Sequence, residues 1–328
     1  MIRRAGILFV LFLFPFVRFR AEATDKQFAE KIENRNSMER QRWRDAEKNL
    51  YSSRIWRFLW IPRSARNDDK MDASSTSKAE VVSFPSGNLT LRGVIYKPQG
   101  AGPFPAVVYN HGSAPGMLSA QAFEALGPVF ANHGWVFFGP YRRGQGLSAS
   151  AGPYIGDEIS AATKKGGISA GATTMVRLLE TEHLNDQLAA LAWLRKQDFV
   201  QPGRVAVAGN SFGGIEVVLG AEKANYCAAI DSAGGAQSWA QAPELQALMT
   251  RAVRKSQAPI FFFQAENDYD LSPSRTLSEA MKDAGKVFEL KIYPPYGDSV
   301  QDAHTFGYFG SSVWSEDVFR FLEKHCSK

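Results

Sequence analysis

From residue 79 onward the apolar positions fall into two alternating textures. Residues 80–84 and 89–96 alternate apolar with polar, and Ser86-Gly87-Asn88 lies between them, which predicts a β-hairpin. Residues 106–109, 135–138 and 259–264 are near-continuous apolar runs, the pattern of strands buried on both faces. Residues 205–208, 228–230 and 288–293 complete a set of eight strands. Between them lie helix-compatible stretches at 121–132, 181–196, 215–223, 243–255, 273–284 and 313–324. A hairpin followed by repeated strand–helix alternation predicts an α/β fold with an eight-stranded, mostly parallel sheet and helices on both faces. Two segments break the rhythm. Residues 148–175 are rich in Gly, Ala and Ser, and residues 232–241 follow a short strand. Both fall on the C-terminal side of their strands, where open α/β sheets bind ligands. The first is long for a connector and is expected to be a small lid-like insert that shapes the substrate site.

The alternation is interrupted most sharply at Gly209-Asn210-Ser211-Phe212-Gly213-Gly214. A β-rich run enters this stretch and a helix leaves it. Gly-x-Ser-x-Gly in that context predicts a strained strand-to-helix turn presenting Ser211 as a nucleophile. The bland alternative is a glycine-rich turn with a capping serine. A hydroxyl needs a base, an orienting acid and donors for an oxyanion. His304, in Asp302-Ala303-His304-Thr305-Phe306, is the histidine that follows the last strand, and it is expected to be the base. His111, His133 and His183 precede the serine, and His325 lies at the C-terminal end. The stretch after strand 259–264 offers Glu266, Asp268 and Asp270. Asp268 is the expected acid, with Asp270 or Ser272 free to cap the next helix. The backbone N–H of Phe212 is the first oxyanion donor. The second is expected from Asn110-His111-Gly112-Ser113-Ala114, with Ser113 preferred and Ala114 the alternative. Arg142 or Arg143 could bind a substrate carboxylate, but a salt-bridged turn that supports the elbow is the preferred reading.

Charge and cysteine content change the picture at the edges. Residues 1–78 hold 17 Lys/Arg against 10 Asp/Glu, whereas the remainder holds 21 against 23. The net charge of +5 therefore belongs to the N-terminal extension, and the rest offers no basic footprint for nucleic acid. No metal spacing, Walker loop or dinucleotide fingerprint is present, so no cofactor is expected. Residues 1–23 pair a basic start with a 13-residue apolar core and an Ala-Glu-Ala end, the layout of a signal peptide or N-terminal anchor. Export or membrane association through this segment is expected, with a cytoplasmic location the alternative. Residues 24–78 read as a charged, disordered extension and residues 79–328 as the catalytic domain. Cys227 and Cys326 do not form a cysteine framework and are expected to be free thiols.

Taken together, His111-Gly112, Arg143-Gly144-Gln145-Gly146, Gly209-Asn210-Ser211-Phe212-Gly213-Gly214, Glu266-Asn267-Asp268 and Asp302-Ala303-His304-Thr305-Phe306 resemble the dienelactone hydrolase and prolyl-oligopeptidase-like branch of the α/β-hydrolases. The resemblance covers about three quarters of the chain. It implies an α/β-hydrolase fold and a Ser211–Asp268–His304 triad acting on a small ester. Dienelactone hydrolases proper carry a cysteine nucleophile, so Ser211 argues against dienelactone itself as substrate. Residues 1–78 are too short for the propeller of the oligopeptidases. A peptidase releasing small acyl or aminoacyl groups is the second enzymatic reading. A non-catalytic binding protein on the same scaffold would be expected to lack one of the triad residues.

Overall fold

The computed structural model describes residues 78–114 and 116–327. The expectations for residues 1–77, including the signal-like segment, lie outside the described residues.

Eight strands form one sheet: β1 (Glu80–Ser86), β2 (Leu89–Tyr96), β3 (Phe104–Asn110), β4 (Val136–Pro140), β5 (Val200–Asn210), β6 (Ala229–Ser232), β7 (Ile260–Ala265) and β8 (Phe288–Tyr293). Their spatial order is β1-β2-β4-β3-β5-β6-β7-β8. The hairpin β1–β2 and the pair β2–β4 are antiparallel, and every other pair is parallel. The hairpin turns at Gly87, whose φ of 58° suits a residue without a Cβ. The expected α/β-hydrolase arrangement, with its mostly parallel sheet and helices on both faces, is the one the chain adopts.

Period-two alternation along the strands builds two apolar layers. Ala106, Val108, Val205, Val207, Ile260 and Phe262 point to one face. Val107, Tyr109, Ala206, Ala208, Phe261 and Phe263 point to the other. Helices α1 (Met117–Asn132) and α9 (Ser311–Cys326) cover the second face, where Phe130, Trp314, Phe319 and Phe321 are buried. Helices α2 (Ile155–Glu180), α3 (Glu182–Leu194), α4 (Phe212–Lys223), α5 (Pro243–Lys255) and α6 (Ser272–Asp283) carry residues of the first layer. The short helices α7 (Val300–His304) and α8 (Phe306–Phe309) precede α9. Burying a Phe or Leu side chain contributes about 1.5–3 kcal/mol, so these two layers dominate the stabilisation.

The 148–175 segment, expected to be a lid-like insert, is built from a 3₁₀ turn at Gly146–Ala151 and, over most of the remainder, helix α2. Its buried positions, Gly171, Ala172, Met175, Leu178 and Leu179, recur at helical spacing against the core. Its first half is largely polar, and Gly167 interrupts it at φ 79°, so no continuous apolar stripe marks the helix in the sequence. One expectation is corrected here: the cysteines are not free thiols. Cys227 and Cys326 form a disulfide with Cα atoms 5.1 Å apart, joining the entry of β6 to the end of α9. Their separation of 99 residues hid a pairing that only the packing of α9 on the sheet brings about.

Candidate active site

Every residue of the expected triad lies just past the C-terminal end of a strand or in the connection that follows it. Strand β5 ends at Asn210, and Ser211 makes the turn into α4 with φ 61° and ψ −120°. This conformation is strained for a residue with a Cβ. The turn persists because its surroundings fix it. Ser211 N–H donates to the Ser232 carbonyl of β6 at 3.0 Å, and Ile215 N–H donates to the Ser211 carbonyl at 3.1 Å. A Cβ on Gly213 would lie 1.9 Å from the Asn110 carbonyl oxygen, and one on Gly209 would lie 2.5 Å from that of Gly213. Backbone meets backbone across the elbow, so both positions require glycine.

Asp268 stands three residues beyond β7, and His304 closes α7 after β8. His304 Nδ1 is 2.9 Å from Asp268 Oδ1, and His304 Nε2 is 2.8 Å from Ser211 Oγ. An ionised carboxylate only accepts, so the proton on the ring resides at Nδ1 and Nε2 accepts from the serine hydroxyl. All three residues are buried. Asp268 Oδ1 also accepts Tyr269 N–H at 2.6 Å, and Oδ2 accepts Gln264 Nε2 at 3.1 Å. Gln264 is itself held by Ser274 Oγ, which donates to its Oε1 at 2.6 Å. The Tyr269 ring stands edge-on to His304, with centroids 5.3 Å apart. Asp270 Oδ1 accepts Ser272 N–H at 2.8 Å ahead of α6, and Glu266 is exposed.

The two expected oxyanion donors flank Ser211. Phe212 is the first residue of α4, where a helix has no acceptor of its own for the N–H, and the dipole favours negative charge. The second donor depends on the loop after β3. A Cβ on Gly112 would be 3.5 Å from Ser211 Cβ, so that loop runs beside Ser211. The Gly112 carbonyl accepts from Arg142 Nη2 at 2.8 Å. The Ser113 carbonyl accepts from Tyr154 Oη at 2.6 Å, and the Ala114 carbonyl from Gln145 Nε2 at 2.9 Å. A trans peptide is planar, so fixing the Gly112 C=O on Arg142 aims the Ser113 N–H the opposite way.

Arg142 and Arg143 are not poised for a substrate carboxylate. Arg142 is buried and donates to the His111 carbonyl at 2.8 Å, to the Gly112 carbonyl and to Glu216 Oε2 at 2.9 Å. Arg143 grips Asp186 through Nε at 2.9 Å and Nη2 at 2.7 Å. Both guanidinium groups are committed to the scaffold because acids on α3 and α4 fold over them, which pattern reading along one chain segment does not reveal. Burial, reinforced by Arg142, holds His111 well below the usual imidazole range, so it is a neutral structural member of the loop. Among the described residues, no group of three or more His, Cys, Asp or Glu is arranged to hold a metal. A hollow of about 590 Å³ lined by Trp239, Pro243, Gln246, Thr250 and Arg251 contains none of the triad. Gln264, Tyr154 and Tyr308 went unnoticed in the sequence, since no motif marks a residue whose only task is to hold another.

A search of curated proteins found no match. Solved structures share the fold. An acylaminoacyl peptidase from Pyrococcus horikoshii aligns at TM-score 0.56 and 19% identity, covering 77% of this chain and 42% of its own. A puromycin-hydrolysing peptidase from Mycobacterium tuberculosis aligns at TM-score 0.54 and 19% identity, over 76% of this chain and 39% of its own. This chain thus spans about two fifths of the length of these peptidases. An esterase from Pyrococcus furiosus aligns at TM-score 0.55 and 16% identity, over 76% of this chain and 92% of its own. The dienelactone hydrolase family model matches residues 91–307, about two thirds of the chain. The chain belongs to the dienelactone hydrolase family.

Proposed function

We propose that this hydrolase cleaves small carboxylic esters through a covalent acyl-enzyme on Ser211. The observation that carries the reading is the continuous relay Ser211 Oγ–His304 Nε2 at 2.8 Å and His304 Nδ1–Asp268 Oδ1 at 2.9 Å. As Ser211 Oγ attacks the ester carbonyl, its proton passes to His304 Nε2. Asp268 stabilises the imidazolium and keeps the ring in the tautomer that can accept. The tetrahedral oxyanion is held by the N–H groups of Phe212 and Ser113. His304 then returns the proton to the departing alcohol. Water, deprotonated by His304, attacks the acyl carbon, and collapse of the second tetrahedral intermediate releases the acid and restores Ser211.

The test is labelling with a fluorophosphonate, followed by a panel of esters and aminoacyl amides on the wild type and on Ser211→Ala. Labelling confined to Ser211, and loss of ester turnover in a folded Ser211→Ala protein, are the expected results. Undiminished turnover in that variant would sink the assignment, and faster turnover of amides than of esters would move it to a peptidase. We propose in addition that the protein works in an oxidising compartment, which the Cys227–Cys326 bond supports. Recovery of full-length protein solely from the cytoplasmic fraction would refute that.

A further inference from the structure

Tyr308 lies four residues beyond His304, and its ring packs against Tyr109, with centroids 6.4 Å apart. The hydroxyl is buried with the rest of the side chain. It accepts the Gly112 N–H at 2.7 Å, a bond reaching across 196 residues of sequence. A phenol that accepts still has its own proton to donate. Asn210, which precedes Ser211, is buried as well, and its Oδ1 has no hydrogen-bond partner among the described residues. Asn210 in turn donates Nδ2 to the His304 carbonyl at 3.0 Å. The hydroxyl therefore holds the loop that carries Ser113, while Asn210, the residue before Ser211, holds the backbone of His304.

We infer that Tyr308 is a positioning residue that sets the Ser113 oxyanion donor relative to Ser211 and His304. The inference rests on the acyl-enzyme reading above. The Gly112 residue is held at both ends: its N–H by Tyr308, its C=O by Arg142. Those two bonds fix the dihedrals on either side of Gly112, which has no Cβ to restrict them. The Ser113 N–H follows from that plane. Removing the hydroxyl frees the Gly112 N–H, lets the following peptide rotate, and weakens binding of charge that exists only in the tetrahedral state. Substrate in its ground state places no such charge on the carbonyl oxygen, so its binding is spared.

The experiment compares full-length wild type with Tyr308→Phe on short p-nitrophenyl esters and on a peptidyl-free trifluoromethyl ketone, which forms a tetrahedral adduct. Loss of a whole oxyanion donor costs roughly 100- to 1,000-fold, so misorienting one is expected to lower kcat about 10- to 100-fold with KM within about twofold. Affinity for the ketone is expected to fall by the same factor as kcat/KM. A purely structural role would lower the melting temperature without that parallel loss. A kcat within about twofold of wild type, or a loss of kcat with unchanged ketone affinity, overturns the inference. If Tyr308→Phe does not fold, site-specific 3,5-difluorotyrosine at 308 keeps the hydroxyl but makes it a poorer acceptor. A severalfold drop in kcat is then expected, and unchanged kcat overturns the inference. Fluorophosphonate labelling of the wild type separates the two failures. If Ser211 is not labelled, the acyl-enzyme reading falls and this inference falls with it. If Ser211 is labelled but Tyr308→Phe behaves as wild type, only the positioning role falls.

Discussion

Arg142 and Glu216 form an ion pair of 2.9 Å in which the two side chains are 3% and 0% exposed. Glu216 lies on α4, the helix that Ser211 leads into, and Arg142 holds the carbonyls of His111 and Gly112. The pair thus ties the elbow helix to the loop after β3. Burial pushes the Glu216 carboxyl above the ordinary range and the Arg142 guanidinium pulls it back.

Breaking this pair from one side leaves an uncompensated buried charge, at a cost of about 3–5 kcal/mol. Arg142→Met is expected to lose that amount in urea unfolding, whereas Arg142→Met combined with Glu216→Leu recovers much of it. Equal losses in the single and double variants would show that the charge pairing is not the source. Because Arg142 also holds the Gly112 carbonyl, the folded fraction of either protein is expected to hydrolyse esters more slowly.

Asp268 accepts three hydrogen bonds, from His304, Tyr269 and Gln264. Asp268→Asn replaces an acceptor by a group that can donate, which favours the wrong His304 tautomer. The expected outcome is a fall in kcat of roughly 10⁴-fold with little change in melting temperature. Steady-state kinetics on p-nitrophenyl acetate and a thermal melt check both halves. A variant retaining a tenth of wild-type kcat would remove Asp268 from the proposed mechanism.

The Cys227–Cys326 bond closes a loop of about 100 residues that contains Asp268 and His304. In the chain-entropy account such a loop contributes about 4–5 kcal/mol through the unfolded state. Dithiothreitol is expected to lower the melting temperature of the wild type and to leave that of a Cys227→Ser, Cys326→Ser protein unchanged. Activity of the folded double variant at low temperature is expected to be close to wild type, since neither sulfur touches the triad. Identical melts with and without reductant would deny the bond a stabilising role.

Asp231 is buried beside the elbow helix, where its Oδ1 accepts Gly234 N–H at 2.9 Å and, among the described residues, no cation pairs with it. Burial pushes its carboxyl up to about 7 from an ordinary 3.8, and the Gly234 bond pulls it only partly back. The folded state therefore binds a proton more tightly than the unfolded state. Its contribution to stability falls as pH rises from about 4 to about 7 and levels off above that. Asp231→Asn removes this slope. Relative to wild type, its melting temperature is expected to gain steadily across that range and then hold constant. A gain that grows toward acid would contradict the sign.

What the sequence determined by itself was local or ordered along the chain. Period-two and continuous apolar runs marked all eight strands, because a strand buried on both faces needs apolar residues at successive positions. Gly209-x-Ser211-x-Gly213 announced the elbow, since no other residue clears the backbone contacts seen there. The position of His304 after the last strand was legible from order alone. Helix α2 was not, because its first half is largely polar and Gly167 breaks its period. The partners of Arg142 and Arg143, the Cys227–Cys326 bond and the Tyr308 hydroxyl on Gly112 were decided only by tertiary structure. Each joins groups 30 to 196 residues apart, and nothing in the local sequence of one member records the other. The triad stands between these cases: its residue types and order are written in the chain, and the sheet brings them within hydrogen-bonding distance.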